Sequence, residues 1–274
     1  MAQYVDEFRG TDNLVYAKVL TDNNEVGEGY TTGTVKQLAP VAEISKTVEQ
    51  ASDTKFYDNK PALTINAEGA DTINLVVPAL DLPTLADING KGYDATTGAF
   101  MDGERKPEYF ALGYRLRLTD GTYRYVWRYK GTFAIPDETS QTENAGTDSN
   151  NQTLIYTGVS TIHTFTKPNA SQKALVVDER DGLADVDDFF DEVTTCDTLQ
   201  AKPTAYTLTI TQANGTTVSV TKGGNAVANG ATIYAGDVLT ISVTGGTITV
   251  NGTAFTSGNT YTVAGNTTVV STAG

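Results

Sequence analysis

The sequence contains few of the residues from which catalytic and metal sites are built. Its 274 residues include one histidine, His163, and one cysteine, Cys196. A zinc site needs several nitrogen or sulfur ligands, and a catalytic serine or cysteine needs a neighbouring base. A single cysteine also excludes an internal disulfide. We therefore predict no catalytic residue, no metal and no cofactor, and we expect a protein that is not an enzyme.

Long apolar runs and positive charge are also scarce. The longest apolar runs, such as LVV at 75–77, are far too short to span a bilayer, and MAQYVDEFRG has no apolar signal segment. Lysine and arginine number 19 against 33 acidic residues, which gives a net charge of −14. General nucleic-acid binders need a basic surface. We therefore expect no membrane insertion, no secretory signal and no specific binding of nucleic acid.

Glycine, threonine and tyrosine are abundant and indicate β structure. Twenty-six glycines and fourteen tyrosines accompany 39% hydrophobic residues, which is enough for a core. Strands are predicted at 14–20, near 34–39 and within 41–57, and also over 71–80, in the hairpin described below and over 152–166. Short helices are predicted at 83–89, which lies between Pro83 and Gly90, and within 181–195. The fold class is therefore predicted to be all-β, with one or two short helices.

The charge distribution divides the chain. After Pro203 the only charged residues are Lys222 and Asp237, so residues 1–203 carry the whole negative balance. We predict domains at 1–200 and 204–274, joined by LQAKPT. The second has about seven short strands in about 70 residues, separated by turns, which is typical of an immunoglobulin-like β-sandwich.

A β-hairpin at 114–131, YRLRLTDGTYRYVWRYKG, concentrates the positive charge. Asp120–Gly121 as a two-residue type I′ turn would place Arg117 opposite Arg124. Opposed like charges destabilise a sheet, so anions must come from elsewhere. The acidic excess favours carboxylates of this chain or of a neighbouring copy over phosphate. The candidate intersubunit interface comprises Arg115, Arg117, Arg124, Arg128 and Lys130.

Three other patterns have simpler interpretations. GEGYTTG at 27–33 lacks a following helix, so a hairpin turn is predicted rather than a dinucleotide loop. His163 is predicted to be a satisfied histidine in a strand. The acidic run over 178–192 lacks calcium-loop spacing and is predicted to be a solvated helix face.

Several dispersed blocks, covering about residues 10–197, resemble the major tail protein family of siphophages that infect Gram-positive bacteria. PEYFALGYRLRLTDGTYRYVWRYKGTFAIPDE at 107–138 resembles the family's strand, its Tyr-Arg-Tyr-Val-Trp…Tyr-Lys-Gly hairpin and its Pro-acidic exit. NLVYAKVL resembles its opening strand, and LDLPTLADINGKGYD its short helix. TLIYTGVSTIHTFTK is similar to its last long strand, and DDFFDEV to its closing helix.

The resemblance implies a tail tube protein with a β-sandwich or half-barrel domain. Copies would form hexameric rings stacked into a tube through which double-stranded DNA passes without specific binding. The tape measure, tail terminator and distal tail proteins would be further partners, and the protein would assemble in the host cytoplasm and reside in the virion. The family has no catalytic residues. The immunoglobulin-like domain would decorate the exterior, where weak binding of host-surface glycans is a hypothesis.

Two polar excursions, at 57–69 and 137–151, are candidates for ring-to-ring contacts. The candidate lumen residues are Ser45, Thr47 and Glu49, which share one polar strand face. Two alternatives stay open from the sequence. A bacterial surface adhesin or carbohydrate-binding protein would explain the C-terminal sandwich, and a glycan-processing enzyme would explain two β domains but lacks a recognisable site.

Overall fold

The computed structural model describes residues 5–25, 29–138 and 150–274. It divides into two compact units, Met1–Ala201 and Lys202–Gly274, and the division falls inside LQAKPT. Each unit has its own core. No helix in the described part of the chain is long and apolar enough to cross a membrane.

The first unit is built on one sheet of nine antiparallel strands. Along the chain these are β1 (Phe8–Asp22), β2 (Tyr30–Thr32), β3 (Lys36–Gln37), β4 (Glu43–Tyr57), β5 (Lys60–Val77), β8 (Phe110–Leu118), β9 (Tyr123–Phe133), β10 (Gln152–Val159) and β11 (Ala174–Asp178). Their order is β2-β1-β8-β9-β10-β5-β4, with β3 beside β1 and β11 beside β9. A separate ribbon pairs β6 (Gly92–Asp94) with β7 (Ala99–Met101).

One α-helix, α1 (Leu82–Asn89), is present among the described residues, and its ends follow from the local sequence. The Asp81 carboxylate accepts a hydrogen bond from the Thr84 N–H over 3.2 Å, which caps the first turn. Pro83 lies in the first turn of the helix, where a backbone N–H has no helical acceptor, so its absence removes no hydrogen bond. Gly90 ends the helix at φ 62°, in the left-handed region that glycine adopts without strain. The helix predicted at 83–89 is confirmed.

The sheet carries a hydrophobic core on each face. Leu112, Tyr114 and Val126 belong to one cluster, which also includes Ile88 of α1. Their strand neighbours face the other side, where Trp127 is completely buried among a second set of side chains. That second cluster is covered by residues of the segment 165–199, namely Phe165, Phe189 and Val193. Strands β8 and β9 are therefore enclosed on both faces.

The basic hairpin β8–β9 has a three-residue loop instead of the predicted two-residue turn. The Leu118 N–H donates to the Thr122 carbonyl over 2.9 Å, and the Gly121 N–H donates back to the Leu118 carbonyl over 3.1 Å. Gly121 has φ 93° and supplies the left-handed residue that such a loop needs. The type I′ prediction is therefore wrong by one residue.

That single residue changes which side chains face each other. Arg117 lies opposite Tyr123, and Arg124 lies opposite Leu116. Because successive side chains of a strand point to opposite faces, Arg117 and Arg124 lie on different sides of the sheet. The predicted opposition of two arginines does not occur.

The segment predicted as a helix within 181–195 contains no α-helix. A short 3-10 helix (Glu179–Asp181) precedes it, Ala184 forms a bridge with Ala201, and successive turns run over 187–193. A helix would direct the Val193 N–H to the Phe189 carbonyl. That carbonyl instead accepts hydrogen bonds from the Trp127 indole and the Thr194 hydroxyl, both over 2.9 Å. A long-range contact with the core replaces the helical hydrogen bond.

Two other boundaries differ from the predictions. β10 ends at Val159, so His163 lies beyond the strand predicted over 152–166. The residues predicted as an excursion at 57–69 belong largely to β5. In the second predicted excursion, residues 139–149 lie outside the described residues. Residues 26–28 also lie outside them, and these include the first two residues of GEGYTTG. β1 and β2 on either side of that turn pair antiparallel.

The second unit is a β-sandwich of nine strands. They are β12 (Ala205–Thr211), β13 (Thr217–Lys222), β14 (Asn225–Ala226), β15 (Thr232–Tyr234), β16 (Val238–Thr244), β17 (Gly246–Val250), β18 (Thr253–Phe255), β19 (Thr260–Thr262) and β20 (Thr267–Ala273). One sheet has the order β15-β12-β20-β17-β18 and the other β14-β13-β16-β19. Leu208 of the first sheet and Ile241 of the second are both completely buried in the shared core. The all-β class is confirmed for the chain.

Gly113 offers a direct test of the double-sided packing. A Cβ there would lie 2.7 Å from Val15 Cγ2 and 2.8 Å from the Trp127 ring. We expect Gly113→Ala to lower the free energy of unfolding by about 1–3 kcal/mol, because the core must shift to admit the methyl group. Gly103→Ala is the control, since nothing lies within 4 Å of that position. Urea unfolding followed by Trp127 fluorescence measures both variants. Equal stability of the two would contradict the close approach.

Candidate functional site

The cations of the basic hairpin find carboxylates within their own unit. Four ion pairs carry them: Arg115–Asp12, Arg124–Asp178, Arg128–Asp71 and Lys130–Asp22, with separations of 2.5, 2.8, 2.9 and 2.5 Å. The partners lie on three other strands, β1, β5 and β11. The expectation that carboxylates balance this hairpin is thus met largely inside the chain.

Lys130 and Asp22 form one of the two enclosed pairs, the other being Arg128–Asp71. The Lys130 and Asp22 side chains are 9% and 6% exposed. Asp22 also accepts hydrogen bonds from the backbone N–H groups of Ile162 and His163, both at 2.9 Å for Oδ1. Burial alone would raise the pKa of Asp22, but Lys130 and these N–H groups outweigh it, and the pKa lies below its ordinary value. The pair joins β9 to the end of β1 and to the chain after β10.

Asp71 is the centre of a second charged cluster, on the face of the sheet beneath α1. It is 2% exposed and accepts a hydrogen bond from Arg128 over 2.9 Å, with Lys46 and Lys173 at 3.7 and 3.4 Å. Lys173 also donates to the Gly69 carbonyl and to the Glu68 carboxylate. The cluster therefore fixes the point at which β5 leaves the core.

Arg117 differs from the other four cations of the hairpin. Its side chain is exposed, and it forms no ion pair with any described residue. Arg115, two residues earlier, is held by Asp12 and stacks on Tyr123 with its guanidinium carbon 4.2 Å from the ring centre. Arg128 and Lys130 are each 8% exposed, so they offer little surface to another molecule. The interface hypothesis stays a prediction for Arg117.

Beyond the charged cluster, β4 and β5 continue as a two-stranded arm, defined here as residues 49–68. Every residue in this range is exposed. Residues 50–57 of β4 span about 25 Å at the usual rise of a strand. Asp58 and Asn59, at φ 50° and 59°, form the two-residue turn at the tip. The arm therefore extends well beyond the core that stabilises the rest of the sheet.

One face of the arm is partly apolar, and the other is polar. Leu63 and Ile65 lie on one face, opposite Lys55 and Asp53, and are 52% and 50% exposed. The polar face carries the pairs Gln50–Glu68, Ser52–Asn66 and Thr54–Thr64. Phe56 and Tyr57 at the tip are each 65% exposed. Exposed apolar side chains grouped in this way make the arm a candidate for contact with another molecule.

Sequence reasoning missed this arm. Pro61 and the polar residues around it indicated an excursion, although ALTIN at 62–66 alternates as a strand does. The Asp58–Asn59 pair was the other available signal, because such pairs favour two-residue turns.

Two of the candidate lumen residues lie in an ordered polar face. Thr47 pairs with Thr72, Thr72 with Thr157, and Thr157 with Thr132, which forms a row of threonines across β4, β5, β10 and β9. Ser45 lies two residues from Thr47 on the same face. Glu49 lies instead at the arm root, where its side chain fills the space that a Cβ at Gly69 would need.

A group of unpaired carboxylates lies on the turns that cover Trp127. Asp187, Asp188, Asp191 and Glu192 are exposed, and none forms an ion pair with a described residue. We call these four residues the acidic segment. They flank Phe189, whose burial fixes the turns to the core. The predicted solvated acidic face is thus found only in the later part of the run and on turns, because Asp178 ends β11 in ion pairs with Arg124 and Arg180.

The remaining reactive side chains are not arranged for chemistry. His163 Nδ1 lies 3.1 Å from the Asn23 carbonyl, and its ring meets Phe165 edge-on. Burial raises the pKa of Cys196, which makes its thiol less reactive. Within the described ranges, no group of three or more His, Cys, Asp or Glu side chains could hold a metal ion.

Comparison with known proteins returned no family. No protein-family model matches the sequence, and no curated protein matches it. The function must therefore be argued from the arm, Arg117, the acidic segment and the threonine row.

The buried Lys130–Asp22 pair predicts a pH-dependent stability. Because its folded-state pKa is depressed, Asp22 stabilises the fold above about pH 4 and loses that contribution as the pH falls through the folded value. We expect Asp22→Asn to cost about 3–5 kcal/mol at neutral pH, since it leaves Lys130 buried without a counter-charge. The difference from the wild type should shrink in acid.

The matched control is Asp53→Asn, which removes an exposed partner of Lys55. Such surface pairs contribute about 0–1 kcal/mol. Urea unfolding, followed by Trp127 fluorescence from neutral to acid pH, separates the two variants. A difference for Asp22→Asn that stays constant down to the lowest pH would contradict the assignment.

Proposed function

We propose that this protein is a structural subunit of a siphophage tail whose copies form hexameric rings stacked into a tube that conducts DNA. The observation that carries the proposal is the arm, an exposed amphipathic hairpin with Leu63 and Ile65 facing solvent. Because the sequence blocks resemble tail tube proteins, we assign this surface to contacts between copies of the chain. The proposed location is the virion, after assembly in the host cytoplasm.

The arm needs a partner for physical reasons. An isolated two-stranded hairpin is marginally stable in water, and this one has an apolar face to bury. A second copy of the chain would cover that face during assembly. Contacts between different patches of successive copies generate rings when the rotation closes, and open stacks along an axis. An arm that reaches about 25 Å is suited to contact a subunit beyond its immediate neighbour.

Electrostatics supports the same arrangement. Arg117 is positive and the acidic segment is negative, and neither forms an ion pair with a described residue. In the proposed assembly, Arg117 of one copy contacts the acidic segment of another. Complementary charges of this kind orient partners and speed their association. The contact would be heterologous, as ring formation requires.

The threonine row supports a role as the lining of a conduit. Hydroxyl groups hydrate well and carry no charge that would hold a phosphate backbone. The net charge of −14 adds a long-range repulsion of DNA. We therefore extend the candidate lumen from Ser45 and Thr47 to Thr72, Thr157 and Thr132.

The second unit is proposed as an external decoration. Within residues 204–274 the only two charged side chains, Lys222 and Asp237, pair with each other over 2.7 Å, so this stretch carries no net side-chain charge. Such a surface neither attracts nor repels a charged cell envelope. Weak binding to host-surface glycans is the proposed role, and the tape measure, terminator and distal tail proteins are the proposed partners of the first unit.

The arm is tested by substitution on one face at a time. We expect Leu63→Asn with Ile65→Asn to raise the concentration needed for assembly about a hundredfold, because two apolar side chains no longer gain from burial. Thr54→Asn with Thr64→Asn places the same side chains on the polar face and should leave assembly unchanged. Negative-stain microscopy of rings and tubes, formed alone and with the other tail components, gives the readout. Equal assembly of both double variants would refute the proposal.

Arg117 is tested separately. We expect Arg117→Glu to prevent assembly at low salt, since it opposes like charges across the contact, while Arg117→Lys assembles as the wild type does. Wild-type assembly should also weaken as salt rises. Normal tubes from the glutamate variant would show that this side chain has no part in the interface.

A further inference from the structure

The dipeptide Asn-Gly occurs four times in the sequence, and the structure places each copy differently. The four asparagines are Asn89, Asn214, Asn229 and Asn251. Asn-Gly is the dipeptide at which an asparagine side chain is most easily attacked by the following backbone nitrogen, because glycine presents no side chain. The attack needs a mobile asparagine side chain and a backbone N–H that is free of other hydrogen bonds.

Asn214 satisfies both conditions. The turn 213–216 is closed by the Thr216 N–H, which donates to the Ala213 carbonyl over 3.1 Å, and Gly215 has φ 82°. This is the geometry of a type II turn, in which the N–H of the third residue points away from the turn. Asn214 is exposed, and neither its side chain nor the Gly215 N–H forms a hydrogen bond with any described residue.

Asn229 lies in a turn of the same kind, but its side chain and the following Gly230 N–H are both held by hydrogen bonds. The Ala231 N–H donates to the Ala228 carbonyl over 3.2 Å, and Gly230 has φ 80°. Here, however, the Gly230 N–H donates to the Leu208 carbonyl over 2.8 Å. The side-chain oxygen of Asn229 accepts a hydrogen bond from the Ile210 N–H over 2.7 Å. The nucleophile and the amide are therefore both fixed.

The other two asparagines are also restrained. Asn251 accepts a hydrogen bond from the Thr268 N–H over 2.7 Å and donates to the Tyr261 hydroxyl over 3.0 Å. Asn89 is 2% exposed at the end of α1, and the Gly90 N–H is bonded to the Asp87 carbonyl over 3.2 Å.

We propose that Asn214 is a site of spontaneous deamidation in the folded protein, and that the other three Asn-Gly pairs are protected by the fold. The Gly215 nitrogen loses its proton to solvent and bonds to Cγ of Asn214, while the bond from Cγ to the amide nitrogen breaks and ammonia leaves. Water then opens the resulting succinimide ring at either carbonyl, which yields aspartate or isoaspartate. No oxidant or reductant is needed.

The product changes the charge of the second unit. Lys222 and Asp237 balance each other within residues 204–274, so a carboxylate at position 214 gives this stretch one net negative charge. The rest of the fold is expected to persist, because Asn214 contributes no side-chain hydrogen bond to it. The inference concerns the second unit alone and holds whether or not the protein forms a tube.

The experiment is incubation of the purified full chain at 37 °C and mildly alkaline pH, with peptide mapping by mass spectrometry over days. Trypsin cleavage at Lys222, the only cation after residue 203, separates Asn214 from Asn229 and Asn251. Breaking two hydrogen bonds slows Asn229 relative to Asn214, so we expect deamidation about thirtyfold faster at Asn214. Comparable rates at the two sites in the folded protein would overturn the proposal.

Two controls isolate the role of the fold. In guanidinium chloride the hydrogen bonds are lost, so the rates at Asn214 and Asn229 should become equal. Asn214→Gln should abolish the acidic form of the native protein on isoelectric focusing, because the longer side chain closes a less favourable ring. An acidic form that persists at the same rate in this variant would place the reaction elsewhere and refute the assignment.

Discussion

Strand β9 is enclosed on both faces, and the rest of the first unit is organised by that constraint. Its aromatic side chains on one side require the cover supplied by the segment 165–199. Its cations cannot reach water freely, because Arg128 and Lys130 are each 8% exposed. A buried cation without a counter-charge is strongly destabilising, so Asp71 and Asp22 must approach from β5 and β1. The ion pairs of β9 thereby tie it to β5 and β1, each of which lies one strand beyond its neighbours β10 and β8.

The same constraint explains why one arginine is left over. Near the loop of the hairpin, Arg117 is exposed and lies opposite Gly10 of β1. Glycine has no side chain, so it supplies no counter-charge. A cation there keeps its hydration and needs no partner in the monomer. Far from the loop of the hairpin, Arg128 and Lys130 are buried in ion pairs. Near the loop, Arg117 is exposed.

The sequence was sufficient where the deciding residues are neighbours. Pro83 and Gly90 bracket α1, and the loss of charge after Pro203 coincides with the division into two units. It was insufficient where a residue distant in the sequence determines the local structure. The loop Thr119–Gly121 fits two turn types, and one residue of register moved Arg117 and Arg124 to opposite faces. Near Phe189, turns stand in place of the predicted helix, and the Phe189 carbonyl accepts a hydrogen bond from the Trp127 indole N–H. No local sequence pattern reveals that long-range bond. The arm was missed because Pro61 and the polar residues around it outweighed the alternation of ALTIN at 62–66.

The pairing of Lys222 with Asp237 has a consequence for crowding. Residues 204–274 have no net side-chain charge, so the Coulomb repulsion between two copies arises from the rest of the chain. Many second units can therefore be concentrated in a small volume without an electrostatic penalty, and their mutual spacing is limited only by their size.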